Sequence, residues 1–290
     1  MLERRCRNSE STLVRAWLST ALVVAAGWLL APAALADASN SANWAGYAVH
    51  RAGISFRKVS ATWRQPSASC TPGRPAYSAF WVGLGGFSET SNALEQIGTE
   101  TDCNAAGLPV LSAWYELVPA PSTSIRIPVR RGDAISASVT LSGHRATVSL
   151  NDLTRHRGFA RTLHASLVDV SSAEWIVEAP SECVSINACA TLPLADFGTA
   201  TFTSAKAQGS KGHVGSISSF RWNSTRIILT PSGRRFTALQ GNGENGAAAA
   251  PSTLADGGTA FSVTYSPLTI PGSPFMTART AADRPGRLFH

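Results

Sequence analysis

Two short segments of this chain carry residue types suited to acid–base and oxyanion chemistry. Residues 173–178 read Ala-Glu-Trp-Ile-Val-Glu, and residues 94–98 read Leu-Glu-Gln-Ile-Gly. Side chains alternate faces along a strand, so Glu174, Ile176 and Glu178 share one face while Trp175 and Val177 share the other. Two carboxylates in an otherwise apolar strand cost free energy unless each finds a partner or does chemistry. With Gln96, the pattern predicts a carboxylate and a carboxamide facing each other across a β-sandwich cleft.

Aromatic residues lie beside acids or amides in four further segments: 41–47, 80–84, 95–100 and 113–116. Trp114 and Glu116 fall on one strand face and read as cleft residues, because exposed aromatics beside carboxylates line substrate grooves. Trp63 and Trp175 read as core. Other chemistries find less support. The glycine cluster Gly83-Leu84-Gly85-Gly86 is followed by no helical pattern, which argues against a phosphate cradle. There is no Gly-x-Ser-x-Gly elbow, and the histidines lie mostly in polar stretches. Asn223-Ser224-Thr225 has the spacing of a glycosylation acceptor.

The elements that must position these residues are strands. Short β-rich runs appear at 59–63, 79–84, 113–118, 124–129, 134–141, 146–150, 174–177, 199–202, 226–229 and 260–265, with turn signals such as Arg131-Gly132-Asp133 between them. Regularly spaced strands without βα alternation predict an all-β antiparallel sandwich or barrel. The Gly-, Ala- and Ser-rich stretches 204–218 and 241–257 read as long loops, and residues 269–290 as a flexible tail.

The chain has 290 residues, 44% hydrophobic and 15% charged. Residues 1–36 read as an export signal: Arg4, Arg5, Arg7 and Arg15 precede an apolar run from Ala16 to Leu30, and Ala34-Leu35-Ala36 has the form of a cleavage site. Export fits the cysteines. Cys6 leaves with the signal, and the remaining Cys70, Cys103, Cys183 and Cys189 predict two disulfides, Cys70–Cys103 and Cys183–Cys189. No paired Cys-x-x-Cys occurs, so no metal is expected. The net charge of +7 falls to +5 without residues 1–36, and the arginines are scattered. Neither nucleic acid nor, after cleavage, a membrane is an expected partner.

From Ser41 to about Ala205 the chain resembles the glutamic endopeptidases, or eqolisins, bacterial-type members included. The matching blocks are 41–46, 81–84, Gln96 with Gly98, 113–116, Gly132-Asp133, 173–178, 195–198 and 201–203. The resemblance implies two packed, bent antiparallel sheets forming a groove, a jelly-roll or concanavalin-like β-sandwich over residues 37–268. It also implies a catalytic dyad on Gln96 and Glu178, with Trp44, Trp81, Trp114 and Glu116 lining the cleft; Glu100 is a further expected substrate-binding residue. Glu178 would take a proton from water and return it to the leaving amine, while Gln96 would donate to the oxyanion. The substrate would be a polypeptide, the enzyme a monomer without a cofactor. Fungal members carry aspartate where this chain has Gly85, Ser112 and Ala179, and also at Glu100, so a milder acid optimum is expected here. A β-sandwich glycoside hydrolase using Glu116 and Glu178 is the first rival, and a lectin-like carbohydrate-binding module the second.

Overall fold

The computed structural model describes residues 37–185, 188–233 and 247–267. The expected signal segment and the tail 269–290 lie outside the described residues. Among the described residues the chain forms strands β1 (Asp37–Ser41), β2 (Trp44–His50), β3 (Phe56–Arg64), β4 (Ala79–Leu84), β5 (Leu94–Cys103) and β6 (Pro109–Val118). There follow β7 (Thr123–Ile125), β8 (Ala134–Ser142), β9 (Arg145–Asp152), β10 (Arg157–His164), β11 (Ser172–Glu178) and β12 (Ser181–Ser185). The series ends with β13 (Ala188–Thr191), β14 (Thr199–Gly209), β15 (Val214–Gly215), β16 (Asn223–Leu229), β17 (Ala247–Pro251) and β18 (Phe261–Pro267). A single 3₁₀ turn, Asp256–Gly258, precedes β18.

The expected antiparallel sandwich is present, with its two layers joined in one hydrogen-bonded path, β10-β9-β8-β3-β14-β18-β17-β16-β2-β11-β4-β5-β6-β7. The pairing is antiparallel except where β1 lies parallel to β16. The path doubles back, so β3 and β8 pack against β4, β5 and β11. Between the layers lies the main core, with Trp63, Phe80, Val82, Ile97, Trp175, Val177 and Phe202. Trp63 and Trp175 are thus core residues, as expected.

The side-chain alternation gives the layer β2-β11-β4-β5-β6 a second apolar face. Trp44, Ala48, Ala79, Trp81, Leu94, Trp114, Val118, Ile176 and Ile227 cluster there, away from the main core. A strand buried on both faces reads as a continuous apolar run, and β4 and β11 are buried along nearly their whole length.

Three expectations about elements need correction. The stretch 204–218 is no loop in its first part, because β14 runs through to Gly209 and β15 follows at Val214–Gly215. Of the second expected loop, residues 247–251 form β17, while 241–246 lie outside the described residues. The run at 124–129 is a strand only over Thr123–Ile125.

Candidate active site

The second apolar face carries the candidate residues in three cross-strand rows. One runs Trp44, Glu178, Ala79, Glu100, Ser112 across β2, β11, β4, β5 and β6. The next runs Gly46, Ile176, Trp81, Gly98, Trp114, and the third Ala48, Glu174, Gly83, Gln96, Glu116. Gln96 and Glu178 therefore share one face of one layer, with β4 between their strands. The sequence pattern has them facing each other across a cleft; in the structure they lie on the same face, two rows apart.

Trp81 spans the gap between the rows. Its ring lies over Gly83, where an added Cβ would sit 2.9 Å from Trp81 Cζ3. On the other side, a Cβ at Gly98 would lie 2.2 Å from the Phe80 carbonyl oxygen and 2.6 Å from Trp81 Cβ. Both glycines are required by close approach rather than by backbone strain. Trp81 Nε1 donates to Glu178 Oε2 at 2.8 Å, and Trp44 packs edge-on against Trp81 with ring centroids 5.0 Å apart.

The other oxygen of Glu178 is also held. Asn43 Nδ2 donates to Glu178 Oε1 at 2.9 Å. Burial pushes the Glu178 carboxyl up to about 8, against the lowering effect of the Trp81 and Trp44 indoles, and Glu116 pushes it further. That influence places Glu116 within electrostatic reach of Glu178. Gln96 Nε2 donates to Glu116 Oε2 at 2.6 Å, a bonded pair on the same face as Glu178. Burial raises the pKa of Glu116 too, with the Gln96 hydrogen bond opposing it. At the far end of the face the Ser112 hydroxyl donates to Glu100. Burial also lifts Asp102, on the same face of β5, to about 7, with Glu100 contributing.

Trp44, Trp81 and Trp114 are buried rather than exposed: their exposures are 1%, 0% and 8%. They form the floor of the face, which corrects the expectation of exposed groove aromatics. Their work is packing and, for the Trp81 and Trp44 indoles, holding down the pKa of Glu178. Asn43 was not singled out from sequence, although it stands next to Trp44 in the first matching block. Its signal was a polar residue flanked by small and aromatic residues just before a buried strand.

Cys70 and Cys103 form the expected disulfide, with Cα atoms 5.3 Å apart. Cys183 and Cys189 are register partners in the β12–β13 hairpin, and Cys189 is disulfide-bonded; the Cys183 side chain lies outside the described residues. No group of three or more His, Cys, Asp or Glu side chains suited to a metal ion occurs among the described residues.

An all-β layer carrying a buried carboxyl, a carboxamide and a second carboxyl on one face holds the groups that acid–base hydrolysis needs. The chain belongs to the peptidase A4 family, whose model matches residues 42–244, and it is a peptide hydrolase. It is 28% identical over 198 residues to aspergillopepsin-2 of Aspergillus niger, covering 60% of this chain and 67% of that protein. Scytalido-glutamic peptidase, solved with a peptide-based transition-state analogue, superposes with a TM-score of 0.61 at 26% identity, covering 77% of this chain and 98% of that one. SCP-B, a member of the eqolisin family of peptidases solved with the tripeptide Ala-Ile-His, superposes with a TM-score of 0.57 at 25% identity, covering 77% of this chain and 98% of that one.

Proposed function

We propose that this chain is a secreted, monomeric glutamic endopeptidase in which Glu178 moves the protons and Gln96 holds the oxyanion. The observation that carries this reading is the placement of Gln96, Glu116 and Glu178 on one face of a single layer, with Gln96 bonded to Glu116 and Glu178 held by Asn43 and Trp81. The relatives named above, two of them solved with peptide-like ligands, support a polypeptide substrate. Among the described residues no helix is long and apolar enough to cross a membrane.

The raised pKa of Glu178 sets the order of events. At about 8 the carboxyl is protonated throughout mild acid. It therefore enters the reaction as an acid. As water adds to the scissile carbonyl carbon, the Glu178 proton passes to the carbonyl oxygen, where a Gln96 N–H also donates. The carboxylate so formed takes a proton from the attacking water and delivers it to the leaving nitrogen; as the C–N bond breaks, the proton first given to the carbonyl oxygen returns from the new carboxylic acid group to Glu178, which is protonated again. This order differs from the carboxylate-first expectation because burial keeps the proton on Glu178. It also accounts for a preference for acid, since the protonated form predominates below about pH 8. Gln96 has two amide hydrogens; one is committed to Glu116, leaving the other for the substrate oxygen.

The test is incubation of the purified protein with denatured casein and, in parallel, a β-glucan panel. Cleavage of casein alone is expected. Glu178→Gln should abolish it with the fold intact. Gln96→Ala should lower kcat/KM by about 10²–10³-fold, the usual effect of losing one oxyanion donor. Glucan cleavage without proteolysis would overturn the reading.

A further inference from the structure

The first turn of the described chain is built around one side chain. Ser41 and Asn43 are fully buried, and the Ser41 hydroxyl oxygen accepts from the backbone N–H groups of Trp44 at 3.0 Å and Asn43 at 3.3 Å. Its proton is directed to Asn43 Oδ1, 3.5 Å away. A carboxamide carries a donor and an acceptor end that are sterically alike, so its orientation is decided by its partners. With a hydroxyl donor on the oxygen side, the NH₂ must face the other way, and there it meets Glu178 Oε1 at 2.9 Å. The backbone repeats the attachment. Ala179 N–H donates to the Asn43 carbonyl at 2.8 Å, and Thr230 N–H to the Ser41 carbonyl at 2.8 Å. The turn before β2 is thereby tied to the end of β11 on one side and to the end of β16 on the other.

We infer that Asn43, oriented by Ser41, is a positioning residue that holds the Glu178 carboxyl in its working rotamer and favours its ionised form once the proton has left. Trp81 Nε1 occupies the second oxygen, so each carboxyl oxygen has its own donor. An oriented donor matters most at the step where Glu178 bears charge. A hydrogen bond to a charged group is about twice as strong as one to a neutral group. Asn43 therefore stabilises the transition state more than the protonated resting state, which is the condition for accelerating the reaction.

The titratable groups that face Glu178 are few. β2 and β4 present Trp44, Ala79 and Trp81, none of which titrates in the working range. β5 presents Glu100 in the same row, and β6 presents Glu116, whose charge acts on Glu178. No cation offsets them among the described ion pairs, which are those of Arg155. The Trp81 and Trp44 indoles are the local counterweight to burial and to Glu116, and Asn43 adds a donor to Oε1.

The inference rests on the glutamic-peptidase reading, and the experiment separates the two. Asn43→Ala and Asn43→Asp are compared with wild type and Glu178→Gln for kcat and KM against pH, with thermal unfolding to confirm the fold. Asn43→Ala should lower kcat by about 10- to 100-fold in mild acid, with KM little changed, as for a lost hydrogen bond to a charged group, and should move the alkaline limb upward because ionised Glu178 loses a donor. Asn43→Asp is close to isosteric. In acid its protonated carboxyl can donate to Glu178, so activity should approach that of wild type; as pH rises and the proton is lost, two carboxylates meet and activity should fall earlier than in wild type. If both variants reproduce the wild-type profile, or both lose activity by one pH-independent factor, the positioning role is overturned. If Glu178→Gln stays active, the peptidase mechanism itself fails instead.

Discussion

The most quantitative consequence of this structure concerns Glu95, which sits one residue from Gln96 but on the opposite face of β5. It is fully buried, and neither carboxyl oxygen has a hydrogen-bond partner. Asp169, in the connection before β11, lies near enough to act on it, and Glu95 in turn acts on the fully buried Glu174. Burial first, and Asp169 second, lift Glu95 from 4.5 to about 8. Asp169 itself is kept low despite burial, because Ser91, Ser171 and the Gly86 N–H donate to it. Of the pair, Asp169 carries the charge and Glu95 the proton.

Between pH 4.5 and about 8 the folded protein holds a proton on Glu95 that the unfolded chain does not. Raising the pH therefore favours unfolding, by about 1.4 kcal/mol per pH unit for this one group. The window from 4.5 to about 8 corresponds to a loss of about 5 kcal/mol, of which about 3 kcal/mol has accrued by pH 7. That is a large share of a typical total stability. Glu95→Gln keeps the shape and removes the titration. Its amide is still buried without partners, so its stability at pH 4.5 can fall below wild type. The slope is the diagnostic quantity. Urea unfolding from pH 4.5 to 8 at fixed ionic strength should give a wild-type curve that descends more steeply than the variant's by about 1.4 kcal/mol per unit. Parallel curves would refute the assignment of the proton to Glu95.

Four further outcomes are expected. For kcat/KM against pH, wild type should be active in mild acid and decline as pH approaches about 8, where Glu178 loses its proton; a rate that climbs tenfold per unit across pH 5–7 would show that the carboxylate form acts first. Ser112→Asp replaces the hydroxyl that donates to Glu100 with a second carboxyl in the row of Glu178, and should move the alkaline limb of the same profile upward; an unchanged profile counts against charge crowding in this cleft. Gly98→Ala places a methyl 2.2 Å from the Phe80 carbonyl oxygen and displaces Trp81, so hydrolysis should drop even in variants that remain folded by circular dichroism. Non-reducing peptide mapping should recover Cys183–Cys189 beside Cys70–Cys103, and loss of the latter, which spans 33 residues, should lower stability by about 4 kcal/mol on loop-entropy grounds.

The strand period made much of the site legible. Glu174 and Glu178 do share a face, and so do Trp114 and Glu116. What alternation cannot reveal is which strands are neighbours, because pairing is non-local. That is why Trp81, Asn43 and Glu178 meet only in the folded chain, although 135 residues separate Asn43 from Glu178. The missed strands have local causes. In β14 the buried positions are Ala200 and Phe202, then Ala205, Ala207 and Gly209. The alternation slips by one at a bulge between Thr203 and Lys206, where Ser204 has φ 54°. Small residues and a broken period together read as loop. β17 is four alanines and a proline, with Ala247, Ala249 and Pro251 buried. Its strand character comes from β16 and β18 on either side, because alanine has little β preference of its own.

The buried acids of this layer lead to one conclusion about chemistry and stability. Glu95, Glu116, Glu174 and Glu178 all have raised pKa values, and burial is the largest cause in each. The described ion pairs, those of Arg155, involve Asp133 and Asp152 and none of these four. Charge in such a layer is limited by protons rather than by counter-ions. Asn43, Trp81, Trp44 and Gln96 soften individual carboxyls without adding positive charge. A layer built in this way is most stable in acid, where its carboxyls are neutral, and the same acid keeps on Glu178 the proton the proposed reaction needs first. The acid preference proposed for activity and the one expected for stability then share one origin. They can nevertheless be separated, since Glu95 faces the core and Glu178 the cleft. Glu95→Gln should flatten the stability profile while leaving the pH dependence of kcat in place.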